Sequence, residues 1–262
     1  MSGLLHEDLT YQIRGSYFDV YNALGHDYPE SFYEKALYFD IRNKGLKCVR
    51  QEDHQIRYKE QLVGRHILDL VVEDTVIVEL KVVEKLLPVH RAQLISYLKA
   101  TGRQVGLLLN FGGKAAESER YVYTKEAQHS KTEMDAHYVS GKTLFPELSL
   151  ELIRGLEEVY DHLGPGFVFR IYSNAYFHEL KLRDMPFRID KKMAVYYEDH
   201  VIGQLTFHHF LVEDKVMVFP VATGKDVDRA AIQSWSRRNG VRQGIVGNFY
   251  GENLNVEFIS AD

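Results

Sequence analysis

Three charged side chains interrupt two apolar stretches of the sequence. Asp69 lies at the centre of the run 66–72, and Glu79 and Lys81 lie within the run 76–83. Because residues two apart on a β-strand share a face, Glu79 and Lys81 are predicted to lie on one face, about 7 Å apart. The plain structural interpretation is a strand with one solvated face, on which the glutamate and the lysine form an ion pair.

Asp69 favours a second interpretation, in which these residues bind a metal ion. An unpaired carboxylate inside a strand that is apolar on both sides costs several kcal/mol. A divalent cation between Asp69 and Glu79 would remove that cost, and Lys81 would balance the remaining negative charge. Carboxylate oxygens are hard ligands that select Mg²⁺ or Mn²⁺ over zinc. The sequence therefore predicts a magnesium site at which Mn²⁺ can substitute.

A predicted helix after these strands carries further polar side chains. Gln93 and Tyr97 are four residues apart and share a helical face, and His90 lies one turn earlier. A metal ion, a lysine and hydrogen-bond donors in one cleft are the groups that phosphodiester hydrolysis requires. Tyr97 is equally well explained as a half-buried core aromatic, and His90 is better explained as an ordinary surface residue.

The elements that would position these side chains follow from the apolar periodicity. Helices are predicted from Leu9 to a stop at Gly25, over 31–44 with Ser31 as cap, and over 88–100. Strands are predicted at 46–50, 54–59, 63–73, 75–84, 105–110 and 120–124. This order, ααββββαββ, predicts an α/β fold with a mixed sheet flanked by helices.

The same pattern occurs twice in the chain. Residues 88–111 align without gaps to residues 226–249 with eight identities in twenty-four positions, where chance gives about one or two. Ile13-Arg14-Gly15 likewise returns as Ile153-Arg154-Gly155. We therefore expect a tandem repeat of two α/β domains, at 1–126 and 147–262, with a linker at 127–146.

The first copy resembles the RecB-like branch of the PD-(D/E)XK nuclease superfamily, and within it the GxxExxY proteins, which are small bacterial domains. The resemblance covers nearly all of Leu5–Tyr123. One departure is visible, since Asp27 replaces the glycine that opens the family's motif and so changes the expected turn. The matching segments are Leu24-Gly25, Glu30-Ser31-Phe32-Tyr33, Tyr58-Lys59, Asp69, Val78-Glu79-Leu80-Lys81, Val89-His90, Gln93-Leu94-Ile95-Ser96-Tyr97-Leu98 and Leu109-Asn110-Phe111.

The resemblance implies a Mg²⁺-dependent nuclease, a hydrolase acting on ester bonds. Asp69, Glu79 and the carbonyl of Leu80 would hold the metal, and Lys81 would orient or deprotonate the attacking water. Glu30 would add a water-mediated ligand or steer Lys81. The resemblance also implies that two residues of the following helix contact the scissile phosphate or fix the catalytic pair, namely Gln93 and Tyr97.

The second copy is predicted to be a pseudo-nuclease, because every polar residue of this set is replaced. The residues in their places are, in chain order, Phe169, His209, Phe219, Val221, Ala231 and Trp235. A zinc site around His208 and His209 is not favoured, because cysteine ligands and metal-ligand spacing are missing. This copy would replace the second subunit of an ancestral dimer, or bind substrate or a protein partner.

Composition limits the remaining function classes. The net charge of −5 excludes a protein that binds nucleic acid by bulk charge alone, and the lone Cys48 excludes an internal disulfide. No apolar run is long enough for a membrane span, and residues 1–10 lack the features of a signal peptide, so we expect a cytoplasmic protein without membrane contact. The expected substrate is nucleic acid, with DNA preferred, and the chain is a monomeric pseudo-dimer or a homodimer. The alternative is a non-catalytic scaffold that binds nucleic acid or protein.

Overall fold

A computed structural model describes residues 4–124, 141, 143–225, 227–251 and 253–260. These residues belong to two compact units, one drawn from 1–56 and 65–127 and the other from 57–64 and 128–262. Most of the linker predicted at 127–146 lies outside the described residues.

The first unit contains three helices and five strands. In chain order they are α1 (Glu7–Leu24), α2 (Glu30–Asn43), β1 (Cys48–Tyr58), β2 (Gln61–Val72), β3 (Val76–Lys81), α3 (Pro88–Thr101), β4 (Val105–Asn110) and β5 (Glu117–Val122). The strands form one sheet in the order β1-β2-β3-β4-β5. Strand β3 pairs antiparallel with β2 and parallel with β4, so the sheet is mixed, as predicted.

The second unit repeats this order of elements. They are α4 (Pro146–Leu163), α5 (Phe169–Leu182), β6 (Phe187–Tyr197), β7 (His200–Val212), β8 (Val216–Val221), α6 (Arg229–Arg238), β9 (Gln243–Asn248) and β10 (Asn255–Ser260). Strand β8 again pairs antiparallel with one neighbour, β7, and parallel with the other, β9. The predicted fold class, a tandem repeat of two α/β units with mixed sheets, is confirmed.

Each face of the first sheet packs against a different set of helices. Val78 and Leu80 of β3 belong to the core formed with α1 and α2, whereas Ile77 packs with Leu94 and Leu98 of α3. Because side chains alternate along a strand, Glu79 and Lys81 are directed toward the α3 side. The sequence prediction that these two residues share a face, opposite Val78 and Leu80, agrees with this packing.

The order ααββββαββ is wrong by one strand. The runs predicted at 46–50 and 54–59 are parts of a single strand, β1, so the observed order is ααβββαββ. Strand β1 lies at the edge of the sheet and its central residues are alternately exposed and half-buried. An edge strand buries little surface, so the polar residues at 51–53 do not end it, although they break its apolar pattern.

Two element boundaries also differ from the predictions. Helix α2 begins at Glu30, directly after Pro29, and no side chain caps it, so the predicted cap at Ser31 is wrong. Strand β3 ends at Lys81 rather than at 84. Glu30 therefore lies at the start of α2 and Lys81 at the end of β3, where their side chains are free to meet.

Among the helices in the described ranges, none has the length and hydropathy that a membrane crossing needs.

Candidate active site

Asp69 and Glu79 face each other across two paired strands. The antiparallel register pairs Leu70 with Val78, which places Asp69 and Glu79 next along the ladder. One oxygen of Asp69 accepts a 2.9 Å hydrogen bond from the amide of Leu80. The side chain of Glu79 is 1% exposed, and its Oε2 has no hydrogen-bond partner among the described residues. The sheet therefore holds a buried carboxylate oxygen that protein donors leave unsatisfied.

The protonation behaviour of this pair reflects its excess negative charge. Burial and the neighbouring charge of Asp69 raise the pKa of Glu79 to about 8, although Lys81 acts against the shift. Burial also raises the pKa of Asp69, against the amide of Leu80 and the charge of Lys81. One lysine thus does not compensate the buried carboxylate of Glu79 and the half-buried carboxylate of Asp69, and a further positive charge would stabilise both in their ionised forms.

Lys81 is held close to the acidic pair. Its ammonium forms an ion pair with Oε1 of Glu79 and donates a 2.8 Å hydrogen bond to the carbonyl oxygen of Leu80. An ammonium carries three N–H donors. These two bonds leave one donor for a water molecule or a phosphate oxygen that enters the site.

Gln93 and Tyr97 meet on the face of α3 that covers this part of the sheet. The amide of Gln93 donates a 2.6 Å hydrogen bond to the hydroxyl oxygen of Tyr97. Tyr97 belongs to the apolar core under α3, which is the structural role the sequence allowed. Its pKa is raised mainly by burial and secondly by the negative charge of Glu79, so the charge of the acidic pair acts on its hydroxyl.

Glu30 lies at the first position of α2. Its carboxyl interacts electrostatically with Lys81 and Asp69 and accepts a hydrogen bond from the amide of Val82, and partial burial raises its pKa. The start of α2 therefore lies beside the end of β3. His90, by contrast, accepts a 3.1 Å hydrogen bond from the amide of Leu87 through Nδ1, which caps α3 and fits the ordinary role expected for it.

Glu34 belongs to this site but was missed in the sequence. It is buried, accepts hydrogen bonds of 2.6 Å from Arg50 and 2.7 Å from Gln51, and its charge acts on Asp69. Gln51 has φ of 52°, a left-handed conformation that residues with a Cβ rarely adopt. The available signal was the spacing, because Glu34 is four residues after Glu30 on one helix face.

His66 is a second residue that the sequence did not indicate. Its Nε2 lies 2.9 Å from the hydroxyl of Ser96, and its ring centroid lies 4.6 Å from that of Tyr97. Burial lowers the pKa of His66 to about 4, so the ring is neutral at physiological pH. Its buried ring thus packs against Tyr97.

The second unit lacks this arrangement. The counterparts of the acidic pair are His209 and Phe219, both fully buried, with ring centroids 5.3 Å apart. Trp235, the counterpart of Tyr97, packs 4.9 Å from the ring of His209. Nε2 of His209 lies 3.7 Å from Asp190. Aromatic side chains have thus filled the space that the acidic cleft occupies in the first unit.

The donors of the first unit fit a hard divalent cation. Across the part of the chain that the structure describes, no three His, Cys, Asp or Glu side chains converge on a common point. Asp69 and Glu79 are two carboxylates that meet in the first unit, and the carbonyl of Leu80 lies beside them, on the ammonium of Lys81 that also contacts Glu79. The unsatisfied Oε2 of Glu79 and the raised pKa values of both carboxyls are the features that a cation at this point would relieve.

The comparisons with known proteins agree with the repeat. No curated protein matches the chain in sequence. A family profile matches it twice, over residues 7–121 and 146–259, which together span most of its length. With an α/β unit in each matched segment, the chain belongs to the PD-(D/E)XK nuclease superfamily.

Proposed function

We propose that the first unit is a Mg²⁺-dependent nuclease of the GxxExxY type that hydrolyses phosphodiester bonds in nucleic acid, with DNA as the expected substrate. The observation that carries this proposal is the buried Glu79 paired with the half-buried Asp69, with Lys81 beside them, in a chain of a nuclease superfamily. A structural ion pair alone would not require a second carboxylate against Glu79.

Asp69, Glu79 and the Leu80 carbonyl would hold the cation. When bound, the cation polarises the phosphate and makes water a stronger nucleophile at neutral pH. As an ammonium, Lys81 would orient the attacking water through its third N–H donor; as a neutral amine, it would accept a proton from that water.

Residues around this centre position it. Gln93 and Tyr97 form one hydrogen-bonded unit that contacts the scissile phosphate or holds the acidic pair in place. Glu30 acts through a water-mediated contact with the cation or by steering Lys81.

The second unit would act without chemistry of its own. Its buried Phe219 and His209 offer no hard ligands for magnesium, so it binds substrate or a protein partner, or serves as a structural pseudo-subunit. The chain would then function as a monomeric pseudo-dimer or a homodimer.

A cleavage assay with the full chain tests the proposal. Labelled single-stranded and double-stranded DNA and RNA are incubated with Mg²⁺ or Mn²⁺, and products are resolved on denaturing gels. Lys81→Ala should abolish cleavage with little change in melting temperature, whereas Lys85→Ala, at an exposed lysine of the following loop, should cleave normally. Wild-type activity in Lys81→Ala would refute the mechanism, and no cleavage by the unsubstituted chain would favour a non-catalytic scaffold.

A further inference from the structure

A column of aromatic rings runs from the core of the first unit to its surface at the start of α2. Tyr33 stacks on the buried Phe111 with ring centroids 4.5 Å apart, and Tyr28 packs edge-on against Tyr33 at 6.3 Å. Phe32 is the outermost ring and lies nearly parallel to Tyr28, with an angle of 16° between their planes. Tyr28 is 45% exposed and Phe32 52% exposed, so the column ends in two rings open to solvent.

The backbone beneath this surface pair is held by a buried tyrosine. The amide of Tyr28 donates a 3.2 Å hydrogen bond to the hydroxyl oxygen of Tyr33, which itself donates a 2.8 Å bond to the carbonyl of Gly25. The turn before α2 is therefore tied to Tyr33, and the rings of Tyr28 and Phe32 contact each other above it with centroids 6.0 Å apart. A backbone ordered before binding reduces the entropy lost when a flat ligand stacks on the rings.

The pair and the acidic site share the start of α2. Glu30 is between Tyr28 and Phe32 in sequence, and its carboxyl interacts with Lys81 and with the amide of Val82. Because residues two apart on a helix point to different faces, a strand that stacks on these rings has to continue past Glu30 to reach the end of β3, where the proposed chemistry occurs.

The second unit provides an internal comparison. Tyr172 stacks on Phe249 at 4.2 Å and Phe167 packs edge-on against Tyr172 at 6.2 Å, which repeats the inner part of the column. The outer part is lost, because Ile171 replaces Phe32 and is 3% exposed, while Phe167, in the place of Tyr28, is 8% exposed. Exposed paired rings are thus present in the unit that keeps the acidic residues, whereas the unit that has lost them has a buried isoleucine and a buried phenylalanine in their places.

We propose that Tyr28 and Phe32 form a stacking platform for an unpaired base, so that the substrate of the neighbouring site is single-stranded nucleic acid or a single-stranded region. This inference rests on the proposed nuclease function and specifies its substrate class. Every base has an aromatic face, so stacking of this kind holds a strand without selecting its sequence. In a fully paired duplex the base faces are covered by their neighbours, and the platform has nothing to bind.

Binding of a fluorescent base tests the platform separately from cleavage. Single-stranded DNA and RNA oligonucleotides containing 2-aminopurine, whose emission falls on stacking, are titrated with the full-length Lys81→Ala chain in Mg²⁺. Adding Phe32→Leu, which keeps an apolar side chain but removes the ring, should weaken binding about tenfold and abolish the quenching. Phe32→Tyr should restore both. Phe39→Ala, which removes another exposed aromatic ring of α2, is the matched control and should bind like the parent chain.

Each result of this experiment decides the proposal. Three results would overturn it. The first is equal binding and quenching by the parent chain and its Phe32→Leu variant, and the second is no binding of any single strand. The third is that Phe32→Leu weakens the binding of a blunt duplex as much as it weakens the binding of a single strand. A parent chain that quenches 2-aminopurine while the unsubstituted chain does not cleave would keep the platform and refute the nuclease. Cleavage of single strands that is unaffected by Phe32→Leu would keep the nuclease and refute the platform.

Discussion

Glu79 has an electrostatically unfavourable environment in the first unit. Its carboxyl is buried against Asp69, one oxygen has no partner among the described residues, and its pKa is raised to about 8. Strongly shifted carboxyls of this kind concentrate at functional sites, where the electrostatic penalty is relieved by a ligand. Because of this penalty, ion binding at the site should change the thermal stability of the chain, which can be measured.

Mn²⁺ should raise the melting temperature of the unsubstituted chain, because an ion that binds only the folded state stabilises it by about 2.7 kcal/mol at 100 times its dissociation constant. The same titration should leave the melting temperatures of Asp69→Asn and Glu79→Gln almost unchanged. Glu84→Gln, at an exposed position just beyond β3, serves as the control and should respond like the unsubstituted chain. An undiminished shift in Glu79→Gln would place the ion elsewhere.

His66 should make the free energy of unfolding depend on pH. Its pKa is lowered in the folded state from 6.5 to about 4 by burial, so the unfolded chain binds more protons between these values. The stability it contributes is fully present above about pH 6.5 and is lost as the pH falls toward 4, by roughly 3 kcal/mol. Urea unfolding at several pH values should show a shallower loss in His66→Gln.

At the scale of elements, strand β8 shows how the second unit compensates for its lost site. Phe219 is fully buried and contacts His209 in place of the acidic pair of the first unit. Phe219→Glu should therefore reduce the free energy of unfolding by about 2–4 kcal/mol, because an unpaired charge enters an apolar site.

Phe169→Glu is the matched change, since it restores the other glutamate of the first unit at an exposed position and should be nearly neutral. Denaturant unfolding monitored by circular dichroism measures both variants. Equal stability of Phe219→Glu and the unsubstituted chain would mean that the second unit retains an open, hydrated cleft.

The sequence predicts elements well where burial is strong and less well where it is weak. Strand β4 and helix α3 occur where periodicity and Gly102 place them, because their apolar residues pack on both sides of the sheet or along one helix face. Strand β1 was divided in two, because an edge strand follows backbone pairing rather than hydrophobicity.

The residues of the candidate site could likewise be predicted from the sequence only in part. Asp69, Glu79 and Lys81 were visible because charge is unexpected inside apolar strands. Glu34 was missed, because its four-residue spacing from Glu30 indicates only a shared helix face, whereas its role depends on Arg50 and Gln51, which reach it from β1 through tertiary structure. Local sequence spacing carries no information about such long-range partners.

At the scale of the whole molecule, the repeat has two similar folds but one acidic site. A Mn²⁺ titration followed by electron paramagnetic resonance should therefore give one tight site per chain, since Phe219 and Val221 replace Glu79 and Lys81 in the second unit. Two equivalent sites, or one that persists in Asp69→Asn, would contradict this assignment. With a single working centre, a chain that remains monomeric during turnover should cut one strand in each cleavage event.

Replacement of Tyr97 by Trp235 in the repeat also has an optical consequence. The chain contains one tryptophan, and it lies in the second unit, packed against His209. Excitation at 295 nm therefore gives an emission signal that originates from that unit alone, whereas far-ultraviolet ellipticity averages over both. The chain thus carries a native probe of its degenerate half, and any difference between the emission and ellipticity curves in denaturant would separate the unfolding of one repeat from that of the other without any label.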